Sequence, residues 1–308
     1  VTVVTAGLAY ELFGISAEQV PIWAMSAMVL AITLALLWKG TYKRLDRIIK
    51  VIILSLTITT LFAVIVAAMG SGNRIEWGNG LEWAFVISFM GWMPAPLDLS
   101  VWHSIWKSAR MKEEDAVDER NSILDFNTGY WGTVVLAILF LSLGALLLFD
   151  SGHEIPSGAV PFAKLLIDVY RNSLGDWSVP IIGFAAFTTM LSTTITCLDA
   201  FGRVMAPGST MLTNKREWNQ TDYRVWIVVT SSGAVLVIGF LMGNMLELIR
   251  FVTILSFVAA PIIAILNHLA VSNRRIPLNE RPSRVLTIWS VAGIITLLIF
   301  NVIFFNQL

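Results

Sequence analysis

The sequence predicts an all-α polytopic membrane protein, and three observations carry that reading. Of its 308 residues 56% are hydrophobic and only 14% charged, at a mean hydropathy of +0.74, whereas a soluble domain carries about 25% charged residues. The apolar residues fall in continuous runs of about twenty, enough to cross a bilayer core as helix; a membrane barrel would show alternating runs of about ten. The basic residues crowd into every second connection between these runs, the asymmetry expected of a multi-pass chain. A formal net charge of zero suggests no nucleic-acid partner. Cys197 is the one cysteine, which excludes an intramolecular disulfide and a thiolate metal cluster. No basic region followed by a short apolar core and cleavage site is visible, so no signal peptide is expected.

In chain order, the first apolar segment covers about 1–13. Val1 to Gly14 is too short to span at 1.5 Å per residue and reads as the end of a truncated helix. Complete candidates follow at about 20–38, 48–69, 81–105, 126–149, 178–201, 223–243, 245–271 and 285–306. The stretch 154–175 sets Phe162, Leu165, Leu166 and Val169 among Lys164, Asp168 and Arg171, a pattern that predicts an amphipathic helix lying at the surface. No soluble domain fits between the segments, so residues 1–308 are expected to form a single transmembrane transporter domain of about nine segments, the first partial.

The loops fix orientation. Lys39, Lys43, Arg44, Arg47 and Lys50 occupy one connection, Lys107, Arg110, Lys112 and Arg120 the next but one. Arg203, Lys215, Arg216 and Arg224, then Arg274, Arg275, Arg281 and Arg284, continue the alternation, leaving only Arg74, Lys164, Arg171 and Arg250 of the 21 basic residues elsewhere. The positive-inside rule puts the four basic loops in the cytoplasm, and segment 81–105 runs from outside to inside. Trp83, Trp102, Trp106, Trp177 and Trp226 read as interfacial anchors.

That segment contains Met90-Gly91-Trp92-Met93-Pro94-Ala95-Pro96-Leu97-Asp98. Pro94 and Pro96 lack backbone donors and crowd the preceding turn, so carbonyls near 90–92 lose their helical partners. In hydrocarbon such groups are tolerated only where they line a protein-enclosed cavity, and a carboxylate inside a span costs about 2.5–3.5 kcal/mol on insertion scales. Free carbonyls, the Met93 thioether and the Asp98 carboxylate make a candidate cation site and point to an ion transporter. Other chemistry-bearing residues carry two readings each. Asp125 is either a proton acceptor or a carboxylate favoured by its helix N-terminus. Asp199 either lines an inner pathway or pairs with Arg203 four residues on. Glu247 stands three before Arg250 in the same way. Thr193 and Thr196, in the run Thr188 to Thr196, either line that pathway or only bond back to their own helix and pack. His103 is either a proton relay or an interfacial histidine. No histidine pair has metal-ligand spacing, and no Walker loop, dinucleotide fingerprint or nucleophile motif occurs; no enzyme is expected.

Laid out this way, the chain resembles the Nramp family of divalent-metal transporters. "GTYKRLDRIIKVIILSLTITTLFAV" is similar to the basic approach to that family's fifth helix, and "MGWMPAPLDLSVWHS" to its broken sixth helix with a Met-Pro-His motif. The helix count and orientation match its third helix onward. The resemblance implies an inverted-repeat (LeuT-type) transporter fold, N-terminally truncated, in which discontinuous helices meet at the midplane. It also implies Met93 as a sulfur ligand, with the Met90 carbonyl one turn earlier. The motif histidine is replaced by Ala95, and a second histidine, seven past the Met, by Ser100. Asp98 stands where the family has no carboxylate, and the Asp-Pro-Gly-Asn motif of the family's first helix is not found. The implied activity is alternating-access transport of a divalent cation, taken as substrate with no cofactor, with protons as a further partner. A thioether favours Mn²⁺ or Fe²⁺, while Asp98 keeps Mg²⁺ open. The setting implied is a bacterial inner membrane. An amino-acid or other organic-solute carrier of the same fold, and a non-transporting membrane sensor or scaffold, stay open as alternatives.

Overall fold

The computed structural model describes residues 1–16, 18–39, 42–70, 83–92, 99–113, 119–148, 156–212, 218–240, 245–273, 275–277 and 281–306. Among them every regular element is helical: α1 (Thr2–Phe13), α2 (Ile22–Lys39), α3 (Tyr42–Gly70), α4 (Trp83–Trp92), α5 (Leu99–Glu113), α6 (Glu119–Leu147), α7 (Ala159–Leu174), α8 (Ser178–Leu212), α9 (Gln220–Phe240), α10 (Met245–Val271) and α11 (Arg284–Phe305). Long apolar runs are what hydrocarbon requires, since only a helix pairs its backbone within one segment. Stretches of α6, α8, α9, α10 and α11 are each long and apolar enough to span, and Thr2–Phe13, Ile22–Trp38 and Ile53–Met69 are shorter apolar helices. The chain is an integral membrane protein.

Two compact units emerge, one of Val1–Ile75 and Ile138–Leu246, the other of Glu76–Ala137 and Glu247–Leu308. In the first, α8 is the hub, packed by α1, α2, α3, α7 and α9. Its cores are aliphatic: Leu56, Ala63, Leu143, Ile182 and Ala185 surround Tyr170 of α7, and Leu37, Ile195, Leu198, Ala206 and Ile227 pack with Tyr223. The buried Tyr170 hydroxyl is satisfied by Thr60 at 2.8 Å, as a phenol in an apolar setting must be. The predicted amphipathic helix is α7, which buries Ala163, Ile167 and Tyr170 while keeping Asp168 and Arg171 paired on its outer side.

In the second unit, Ile87 of α4, Phe257 of α10 and Phe304 of α11 form the core, with Met90, Ile254, Val258, Leu297 and Phe300 against it. The helix α11 is started by Ser283, whose side chain accepts from the Leu286 N–H.

Two helix ends that differ from those read in the sequence bear on candidate residues. The helix α8 runs to Leu212 rather than 201, and holds within it the Asp199–Arg203 pair that is one of the two sequence readings of Asp199. The helix α6 begins at Glu119, so Asp125 sits nearly two turns inside it. The helix dipole acts within the first turn and does not account for Asp125.

Candidate functional site

Of the segment read at 81–105, the structure describes two helical stretches, α4 through Trp92 and α5 from Leu99. Met93, Pro94, Ala95, Pro96, Leu97 and Asp98 lie outside the described residues. What the structure does describe is the last turn of α4 before them, the first turn of α5 after them, and the partner that holds each.

That partner is α10. The Gly91 carbonyl, at the end of α4, accepts a hydrogen bond from Ser256 Oγ at 3.2 Å. The approach is close enough that a Cβ on Gly91 would lie 2.2 Å from the carbonyl oxygen of Thr253 and 3.0 Å from its carbon. Only glycine lets the two backbones meet there. At the start of α5, Asn267 Nδ2 donates to Ser100 Oγ at 2.7 Å. Ser256 and Asn267 are eleven residues apart on α10, a rise of about 16 Å, so one helix holds both sides of the break. Between them stands Pro261, inside the helix, which has no N–H for the Phe257 carbonyl four residues earlier.

The carbonyls at the end of α4 are thereby sorted. Four residues on from Met90 and Trp92 stand Pro94 and Pro96, which cannot donate to them. The carbonyl between, that of Gly91, is the one Ser256 takes. Met90 itself is half-buried against the Phe257 core.

The remaining sequence candidates are placed as follows. His103 is exposed on α5, its ring edge-on to Phe126 at 5.2 Å between centroids. Asp125, the neighbour of Phe126, is exposed on α6. Asp199, in the other unit, has both carboxylate oxygens engaged: Arg203 Nε donates to Oδ2 at 2.8 Å and the Tyr223 hydroxyl to Oδ1 at 2.7 Å. Gly202 allows this arrangement, since a Cβ there would lie 2.5 Å from Ile227 and 2.8 Å from the Tyr223 ring. Thr188, Thr193 and Thr194 each donate to the carbonyl four residues back, the local bonding open to any hydroxyl on a helix. Thr194 also meets Thr5 at 3.1 Å, while Thr196 is half-buried. Glu247 lies in the first turn of α10, where a carboxylate suits the helix dipole.

Among the described residues no three His, Cys, Asp or Glu side chains gather. The donor set that Met90, Met93 and Asp98 offer in sequence is a carbonyl, a sulfur and an acid. Sequence reasoning missed Ser256, Asn267 and Pro261. A weak signal existed: past Arg250, Thr253 and Ser256 three apart, and Asn267 before His268, are the hydrogen-bonding side chains of an otherwise apolar α10.

The profile of the family described as natural resistance-associated macrophage protein-like, Nramp, matches the chain over residues 2–307. An uncharacterized protein of Pasteurella multocida (strain Pm70), PM0681, is 32% identical over 258 residues, which cover 81% of this chain and 59% of the relative. The chain thus spans less than two thirds of the length of the curated relative it matches. No solved structure matches it. With a family profile that runs over residues 2–307, this chain belongs to the Nramp family.

Proposed function

We propose that this chain carries a divalent metal cation across a bacterial inner membrane by alternating access, binding it at the break between α4 and α5. The observation that supports this most directly is the sorting of carbonyls at the end of α4: Ser256 anchors the Gly91 carbonyl, and the flanking Met90 and Trp92 carbonyls face prolines in the chain. A helix end so treated offers peptide oxygens to a cation while staying fixed to its neighbour, which is how discontinuous helices serve transporters of the inverted-repeat architecture. The ligands are the Met90 carbonyl, Met93 sulfur and Asp98, together with residues of a first discontinuous helix. Pro94, Ala95 and Pro96 keep the helix open. Sulfur directs the site to Mn²⁺ or Fe²⁺ over the harder, more tightly hydrated Mg²⁺. Asp98 accepts a proton when the cation leaves, with His103 and Asp125 as further acceptors. The chain works as one transporter domain and carries out no covalent chemistry.

The test is flux into proteoliposomes holding the full-length protein, with Mn²⁺ and Mg²⁺ compared with and without an inward pH gradient. Saturable Mn²⁺ uptake above that of Mg²⁺ is expected, and Asp98→Asn should lose at least ten-fold of it with membrane expression intact. Metal binding without flux would favour the sensor, and flux of amino acids in place of metal the solute carrier; either result overturns the proposal.

A further inference from the structure

The start of α9 carries a charge that its own unit does not satisfy. Thr221, Arg224, Val225 and Val228 follow one another at helical spacing, and with Val229 and with Trp38 of α2 they line a cavity of ≈ 350 Å³. The Arg224 guanidinium lies over the Trp38 ring, 4.5 Å from its centroid. Its Nε is buried without a hydrogen-bond partner, and among the described residues no carboxylate pairs with it. Arg203 shows the contrast, being tied to Asp199 at 2.8 Å. A buried donor left unmade costs about 1–3 kcal/mol, so Arg224 is set for an acceptor from outside the protein.

The cavity itself says which acceptor. Val225, Val228 and Val229 are 52%, 42% and 50% exposed, an apolar wall running into the span from the charged end. The basic loops put that end of α9 at the cytoplasmic leaflet, whose anionic lipids are held by basic pockets between membrane helices. A guanidinium takes phosphate through paired N–H donors, and stacking on an indole fixes its plane. A free phosphate ion would use the charge and leave the valine wall without an occupant; a phospholipid uses both.

We propose that this cavity binds an anionic phospholipid of the cytoplasmic leaflet, with Arg224 and Thr221 on the phosphate and the first part of an acyl chain along Val225, Val228 and Val229 beside Trp38.

Native mass spectrometry of the full-length protein tests this, with phosphatidylglycerol, phosphatidylcholine and inorganic phosphate as probes. One basic side chain near a membrane surface accounts for about a five-fold preference. Phosphatidylglycerol should therefore be retained about five-fold over phosphatidylcholine, and Arg224→Gln should erase the preference while Arg284→Gln keeps it. Val228→Trp fills the slot without touching the charge and should lower retention of phosphatidylglycerol by a similar factor, which keeps the test alive if Arg224→Gln does not fold. Unchanged retention in folded Arg224→Gln or in Val228→Trp would overturn the proposal. So would displacement of the lipid by millimolar phosphate, which would mark a soluble-anion site.

Discussion

Gly91→Ala adds one methyl group at the tightest place in the second unit. The new Cβ would sit 2.2 Å from the Thr253 carbonyl oxygen, 3.0 Å from its carbon and 3.4 Å from Phe257 Cβ. The nearest two atoms are backbone, so no side-chain rotation relieves the clash, and α4 must withdraw from α10 by roughly 1 Å to restore ordinary contact. Overpacking of this kind costs about 1–3 kcal/mol. The same withdrawal stretches the Ser256–Gly91 hydrogen bond from 3.2 Å past bonding distance, adding about 1–3 kcal/mol for a carbonyl left bare. Better helix propensity returns about 1 kcal/mol. The net is about 3 kcal/mol, roughly a hundredfold in the equilibrium between the held and the released end of α4. The assay pairs Mn²⁺ uptake in proteoliposomes with thermal unfolding in detergent. Uptake should fall at least ten-fold and the unfolding midpoint should drop by several degrees. Gly293→Ala in α11, where a Cβ meets nothing within 4 Å, should leave both unchanged. A Gly91→Ala protein as active and as stable as the parent, or a Gly293→Ala protein equally damaged, would refute the reasoning.

Met93→Ala should weaken Mn²⁺ or Cd²⁺ transport more than Mg²⁺ transport, read as competing uptake in the same vesicles; equal losses for all three ions would remove sulfur from the ligand set. Asp199→Asn leaves Arg203 without its anion and keeps one acceptor for Tyr223, so a loss of about 1–3 kcal/mol is expected for a pair that is only partly exposed. It should show in the melting curve while Mn²⁺ uptake per folded molecule holds; uptake falling with no change in melting would make Asp199 a pathway residue. Asn267→Ala removes the donor to Ser100 and should cost about 1 kcal/mol, seen as faster hydrogen exchange at the start of α5 with exchange in α8 unaltered.

The helical fold was legible because hydrocarbon leaves the backbone few choices: continuous apolar runs and alternating basic loops located the spans, and the 154–175 pattern located α7. Ends were less legible: the apolar run stops near 201, yet α8 carries the Asp199–Arg203 pair and continues to Leu212. At the break, the prolines announced that carbonyls near 90–92 would lose their helical donors, which is covalent chemistry and needs no tertiary structure. The bond to the Gly91 carbonyl, between those of Met90 and Trp92, was not legible. Ser256 is 165 residues away in the chain, and a serine in an apolar helix is as ready to bond its own backbone as another helix.

That difference bears on how the proposed break is held. Pro94 and Pro96 deny a helical donor to the Met90 and Trp92 carbonyls, which would each cost about 1–3 kcal/mol if left bare. Ser256 takes the Gly91 carbonyl between them, and the close contact that Gly91 permits makes that bond possible. Asn267 holds the far side through Ser100, at the position where the resemblance sets a histidine in other members of the family. A polar contact on each side of Pro261 thus ties α4 and α5 to α10. Ser256→Ala tests this division of labour: it should reduce Mn²⁺ affinity by several-fold through a looser α4 end, with the maximal rate less affected. A variant with parent affinity would show that the break stays open without its anchor.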